Sequence, residues 1–277
     1  MTQMSETGDE KAVLPELPDL DITQDGFLGG RVVVGQLRHG HRSGTDAVLL
    51  AATIPADNTA SCLEFGAGAG VASLCLAARL NMMAGEAGIK EEPEYRVTGL
   101  DIRPELVSLA GHNASVNDMA AQVHFKLQDI AAPFGDWNIA PSSYDHVFAN
   151  PPFYAAGTTA APPDEGKRQA HIASPDLPDI WIRRATTLVR SGGTVSLIYP
   201  ADGLADLLAA MQPRLGQLLI LPIAPRPGHP ARRVIIRGTR DSRASLKLLP
   251  PLILHDGQGY QPVVEAVLRT GAALLLE

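Results

Sequence analysis

The sequence predicts an α/β protein with a mostly parallel sheet, helices on both faces and an antiparallel finish. Three observations carry that expectation. Short β-rich runs, "CLEF", "RVTGLD", "VHFKLQD", "HVFAN" and "TVSLIYP", succeed one another, and amphipathic stretches, "VASLCLAARL" and "PELVSLAGHNASV", separate the first three. Parallel strands need such crossovers, and the result is a sheet covered on both sides. The later runs "LLILPIA", "RRVIIRG" and "PLILH" are divided by turn residues instead of helices, which points to antiparallel pairing at the end of the sheet.

Taken in order, residues 1–22 read as a flexible acidic leader, poor in aromatic residues and with scattered prolines. One domain is expected over 23–277. The first crossover helix follows "CLEF", and the stretch "NMMAGEAGIKEEPEY" after it reads as a surface elaboration. A further helix is expected within "SPDLPDIWIRRATTLV", where Ser174 can cap and Pro175 suits the first turn, with "SGG" as its stop.

Composition narrows the function classes. Of 277 residues, 45% are hydrophobic, enough for a sizeable core. No run of 18 apolar residues and no basic, apolar N-terminal signal occurs, so a soluble, cytoplasmic protein is expected, with a monomer favoured. Cys62 and Cys75 lie within apolar stretches, as core cysteines do, and not in a disulfide or zinc spacing. His39 and His41 have no third ligand in sequence reach, so no metal is expected.

The net charge of −7 is uneven. Residues 1–25 hold seven acids against Lys11 alone, and the remainder is near balance. Between Arg226 and Lys247 stand Arg226, Arg232, Arg233, Arg237, Arg240, Arg243 and Lys247 with one acid, Asp241. Such a cluster fits either contact with nucleic-acid phosphates or a charged, solvated edge strand. Arg232 and Arg233 are the members assigned to substrate.

The chemistry concentrates at strand ends. "LEFGAGAGVASL" sets Glu64, Gly66, Gly68 and Gly70 between a strand and a helix, and glycine there lets backbone amides approach a ligand. A dinucleotide fingerprint would have its third glycine where Val71 stands, and Glu64 would repel a pyrophosphate. A carboxylate instead attracts an ammonium group, and S-adenosylmethionine carries an ammonium and a sulfonium. Asp101 closes "RVTGLD" and Asp129 closes "VHFKLQD". Successive parallel strands therefore deliver Glu64, Asp101 and Asp129 to one edge, where open α/β sheets bind ligands. Asp101 can accept from both ribose hydroxyls and Asp129 from the adenine amine, with Ile102 and Ile130 against the adenine faces. Taken singly, each aspartate also suits a helix cap.

"FANPPFY" ends the fourth strand on the same edge. The double proline forces the chain out of the sheet. Asn150, Pro151, Pro152 and Phe153 form the candidate catalytic set: the Asn150 amide oxygen and the Pro151 carbonyl can each accept one N–H of a planar amine, aiming its lone pair at a methyl donor. Phe153 or Tyr154 can stack on the substrate ring.

These residues resemble the class I, S-adenosylmethionine-dependent amino-methyltransferases that bear an Asn-Pro-Pro-Phe/Tyr motif. The upstream segment 25–52, "DGFLGGRVVVGQLRHGHRSGTDAVLLAA", is similar to that of bacterial valine-tRNA (adenine-N6) methyltransferases, although His41 and Ser43 stand where that family carries an aromatic pair beside its arginine. The resemblance implies a Rossmann-like sheet of seven strands and a tRNA anticodon-loop adenine as substrate. It also implies that Thr45 and Asp46 begin a helix over the methionine end of the cofactor, with Gln36 and Arg42 as braces. Capping alone also accounts for Thr45 and Asp46. Other substrates compatible with the motif are a protein glutamine amide, DNA and small-molecule amines. A non-catalytic RNA-binding module is a further reading.

Overall fold

The computed structural model describes residues 20–88, 93–151 and 177–276. A two-stranded antiparallel hairpin comes first, β1 (Ile22–Phe27) and β2 (Val32–Leu37), joined by a tight turn at Leu28–Gly30. Leu20 and Ile22, within the stretch read as a leader, pack against the core. Helix α1 (Thr45–Thr53) follows, and its residues from Ala47 onward are buried.

The main sheet is built from β3 (Ser61–Phe65), β4 (Arg96–Asp101), β5 (Val123–Leu127), β6 (Tyr144–Ala149), β7 (Val189–Pro200), β8 (Leu215–Ala224) and β9 (Arg233–Arg240). Their spatial order is β8-β9-β7-β6-β3-β4-β5, with two-residue strands β10 (Lys247–Leu248) and β11 (Leu252–Ile253) added along β8. Strands β3 to β7 run parallel, and only β9 is antiparallel to its neighbours. The antiparallel finish is therefore one inserted strand. "PLILH" contributes β11, which pairs parallel to β8, contrary to expectation, because the chain returns along β8's far side.

Helices α2 (Val71–Glu86), α3 (Pro104–Val116), α4 (Leu177–Leu188), α5 (Leu204–Met211) and α6 (Pro262–Thr270) complete the layers. One apolar core lies between the sheet and α1, α2, α3 and α6; the other lies under α4 and α5. Helix α2 runs six residues into the expected surface elaboration, and Tyr95, at the end of that stretch, is fully buried, its hydroxyl donating to Asn81 Oδ1 at 2.9 Å. The "SGG" stop lies inside β7, where Gly192 takes φ +75° and the pairing with β6 slips register. Cys62 and Cys75 are both buried and free. Among the described residues, no helix is long and apolar enough to cross a membrane.

Candidate active site

The carboxyl ends of β6, β3 and β4 are level. Ala149 pairs with Phe65 and Phe65 with Leu100, so Asn150, Gly66 and Asp101 form the next row outward. At one strand spacing each, Asn150 and Asp101 stand about 10 Å apart. Asp129 lies two residues past the end of β5.

The three loop glycines all hold left-handed φ, +65°, +55° and +87°, but for separate reasons. A Cβ on Gly66 would stand 3.0 Å from Trp181 Cη2 of α4, and one on Gly70 only 2.6 Å from Phe125 Cζ of β5. A Cβ on Gly68 would meet nothing within 4 Å. Gly68 alone therefore faces open space; its neighbours make room for aromatic rings that fix the loop. Sequence reasoning missed Trp181 and Phe125, because rings that fill space above glycines from distant elements leave no spacing signal.

Asp101 organises the loop. Its Oδ2 accepts from the Gly68 amide at 2.8 Å and its Oδ1 from the Arg103 amide at 3.0 Å. Each oxygen retains a second lone pair. Burial raises the Asp101 carboxyl above the usual range, while those two amide bonds pull it back. Asp129 is exposed, with Oδ1 taking the Ala131 amide at 2.8 Å. Ile102 is 58% exposed beside it, an open apolar face. Ile130 departs from expectation: the turn after Asp129 folds it into the core with Trp137, 6% exposed, so it offers no second face.

Glu64 is also corrected. It lies one residue short of the end of β3, so the pleat directs its carboxylate into the α2 layer and not over the edge. There it accepts from the Ser73 amide at 3.0 Å and the Ser73 hydroxyl at 2.5 Å, acting as the acidic cap that Gly70 cannot supply. Complete burial pushes its carboxyl up to about 8, against those two bonds. Between the unfolded carboxyl near 4.5 and about 8, the folded chain holds a proton that the unfolded chain has lost, so this residue's contribution to stability falls as pH rises. Glu64→Gln is expected to melt alongside the wild type near pH 5 and above it at pH 8.5. Equal melting temperatures at both pH values would exclude a strongly raised carboxyl.

Asn150 leaves β6 half-buried, and its Oδ1 is buried with no hydrogen-bond partner among the described residues. An unmet buried acceptor costs about 1–3 kcal/mol. Pro151 is buried beside it. Pro152, Phe153, Tyr154 and the predicted caps Ser174 and Pro175 lie outside the described residues.

The leading segment is braced as expected. Gln36 donates to Asp25 Oδ2 (2.9 Å) and to the Ser43 carbonyl (3.2 Å), while its Oε1 takes the Ser43 amide (2.8 Å). Arg42 completes the knot through Asp25 (2.6 Å) and Thr23 Oγ1 (2.5 Å). Two asparagines of α3 and its C-cap, invisible to sequence reasoning, act as a substitute strand for β2. Asn113 bonds both the N–H and the carbonyl of Gly35, and Asn117 does the same for Val33. Asn113 also donates to the Ala69 carbonyl at 2.9 Å, which ties the hairpin to the glycine loop.

Thr45 and Asp46 do begin α1, and Asp46 meets a second predicted site residue: Arg233 Nε lies 2.9 Å from its Oδ2. Arg233 is therefore engaged by an acid and not presented solely to substrate. The basic cluster does not form one patch. Arg226 and Arg232 are exposed at the site edge, Arg243 is exposed past the opposite end of β9, Lys247 is exposed on the outermost strand β10 level with mid-β9, and Arg237 is buried with its guanidinium on the Thr53 carbonyl.

An edge of this kind fits a nucleoside-linked cofactor: an unobstructed glycine, a half-buried aspartate with lone pairs to spare, an exposed aspartate and an open isoleucine. Fold and site together define the class of S-adenosylmethionine-dependent methyltransferases. The chain belongs to the methyltransferase-domain family, whose profile matches residues 56–216, more than half of its length. It is 27% identical over 240 residues to the tRNA1(Val) (adenine(37)-N6)-methyltransferase of Yersinia enterocolitica, covering 86% of this chain and 88% of that protein. The Yersinia pestis (strain Pestoides F) protein of the same name is 26% identical over 239 residues, 86% and 89% covered. A crystal structure from Agrobacterium tumefaciens, described as a predicted O-methyltransferase, superposes with a TM-score of 0.67 at 27% identity over 83% of this chain and 98% of that one.

Proposed function

We propose that the protein methylates the exocyclic N6 amine of an adenine in RNA, in the anticodon loop of a tRNA, as a cytoplasmic enzyme. The observation that carries this reading is the buried, unpartnered Asn150 Oδ1 in the row of Asp101 and Gly66. Supporting it are the relatives named for tRNA adenine-N6 methylation.

Asp101 would hold the ribose hydroxyls, Asp129 the adenine amine, Ile102 one adenine face, and Gly68 the closest backbone approach. Thr45 and Asp46 would close over the methionine end, with Glu64 acting through α2 and the loop. When bound, S-adenosylmethionine supplies a methyl group on a sulfonium, an electrophile. Asn150 Oδ1 accepts one N–H of the substrate amine and the Pro151 carbonyl the other, so that the nitrogen lone pair faces the methyl. Charge growing on that nitrogen meets fixed dipoles, which favours the transition state over the ground state. The product then sheds its proton to water without a dedicated base. Anticodon-loop bases can be splayed out at low unstacking cost and stacked on Phe153 or Tyr154.

The test is incubation of purified protein with unmodified tRNA and methyl-labelled cofactor, followed by digestion to nucleosides. Label in N6-methyladenosine is expected. Label confined to ribose oxygens would favour the O-methyl chemistry named for the Agrobacterium neighbour, and no label in any tRNA would remove RNA as substrate.

A further inference from the structure

The turn between β8 and β9 is "PRPGHPAR", Pro225 to Arg232. Three prolines and one left-handed glycine, Gly228 at φ +74°, restrict it. His229 N donates to the Arg226 carbonyl at 3.2 Å and Arg232 N to the Ile223 carbonyl at 2.9 Å. It is also propped from below: the His255 amide donates to the Pro225 carbonyl at 3.0 Å, in a small hairpin, β12 (His255–Asp256) and β13 (Gly259–Tyr260), where His255 stacks on Tyr260 with ring centroids 4.6 Å apart. The turn is thus a stiff projection, so the backbone beneath an arginine on it has little freedom left to lose on binding.

Its position matters. Arg233 opens β9 opposite Pro200, the last residue of β7, two spacings across from Asn150 and two residues further outward, so the turn begins roughly 12 Å from Asn150 and projects past the sheet edge. The surrounding charges are sorted. Arg38 is paired with Asp21, Arg42 with Asp25 and Arg233 with Asp46. Arg226 and Arg232 are exposed, and among the described residues neither meets a carboxylate within salt-bridge distance.

Resting on the RNA reading above, we propose that this proline-stiffened turn is the protein's phosphate grip: Arg226 and Arg232 hold two backbone phosphates of the RNA beside the base delivered to Asn150, while Arg243 and Lys247 of the same sequence cluster take no part. Arg243 follows β9 at its far end, roughly 23 Å along the strand from Arg233, and Lys247 sits on β10, level with Arg237 and four strand spacings from β6, roughly 19 Å, so neither serves one short loop of RNA together with the site.

Each phosphate contact steepens the salt dependence of binding by about 0.7–0.9 in the log–log slope. Binding of unmodified tRNA, followed by anisotropy across a salt series, is expected to lose about 1.5 in slope in the R226A/R232A variant, and KM for tRNA to rise about tenfold or more. The R243A/K247A variant is expected to keep the wild-type slope. All four side chains are exposed, so melting temperatures should match and folding does not confound the comparison. The grip is overturned if R226A/R232A keeps the wild-type slope, if R243A/K247A loses as much, or if the slope falls with KM unchanged, since a phosphate-binding surface unconnected to catalysis would behave in that last way. Label transfer by the wild-type protein reports separately on the RNA reading, so the two fail independently.

Discussion

Replacing Asn150 with alanine is expected to slow methyl transfer by about 10²- to 10³-fold, the usual loss when one preorganised dipole is removed from a reacting centre. Cofactor affinity should stay within about threefold, because Asn150 belongs to the end of β6 and the cofactor residues to β3, β4 and β5. Stability should hold or rise. The side-chain oxygen has no partner among the described residues, so its removal breaks no internal bond and relieves a desolvated acceptor. Three measurements decide it: turnover, calorimetric cofactor binding and melting temperature. A variant that kept turnover within about threefold would refute a role for that oxygen in the chemistry, and one that melted early would instead mark Asn150 as a structural residue.

Gly70→Ala and Gly68→Ala should fail in opposite ways. Both positions need left-handed backbone, which costs an L-residue roughly 1–2 kcal/mol. At Gly70 the new methyl would also stand 2.6 Å from Phe125 Cζ and 3.1 Å from Phe125 Cε1. That ring cannot retreat across β4, for a Cβ at Gly99 would lie 2.4 Å from it. Overpacking of this sort adds about 1–3 kcal/mol, so Gly70→Ala should be the less stable variant by several degrees in melting temperature. Gly68→Ala meets no clash but places its methyl on the open side of the loop, and should lose cofactor affinity by more than about tenfold while remaining folded. Equal melting of the two variants would show that Phe125 does not hold the loop.

Much of this edge is legible in the chain's residue order. Strand-terminal Asp101 and Asn150 can be placed because each directly ends a β-rich run before a break, and the alternation of runs dictates parallel pairing. Glu64 misleads for a local reason: it stands one position too early, and a period of two turns that single step into burial under α2. The arginine cluster misleads for a reason of scale, since proximity along a strand is not proximity in space; β9 carries Arg233 to one edge, buries Arg237 and leaves Arg240 at the other. Asn113 and Asn117 have no signature at all. Their bonds join residues 78 and 84 positions apart through side-chain amides, a pairing with no fixed spacing to read.

The seating of α1 bears on protein engineering. Its first turn is tied to Arg233 and its last to Arg237, residues 187 and 184 positions downstream, and the Arg31 guanidinium reaches forward to the Arg269 carbonyl. Both arginine anchors fall outside the 56–216 family match. The leading segment is therefore no detachable cassette. Transplanted onto a foreign methyltransferase core, it would arrive without its moorings unless the strand carrying those two arginines travelled with it.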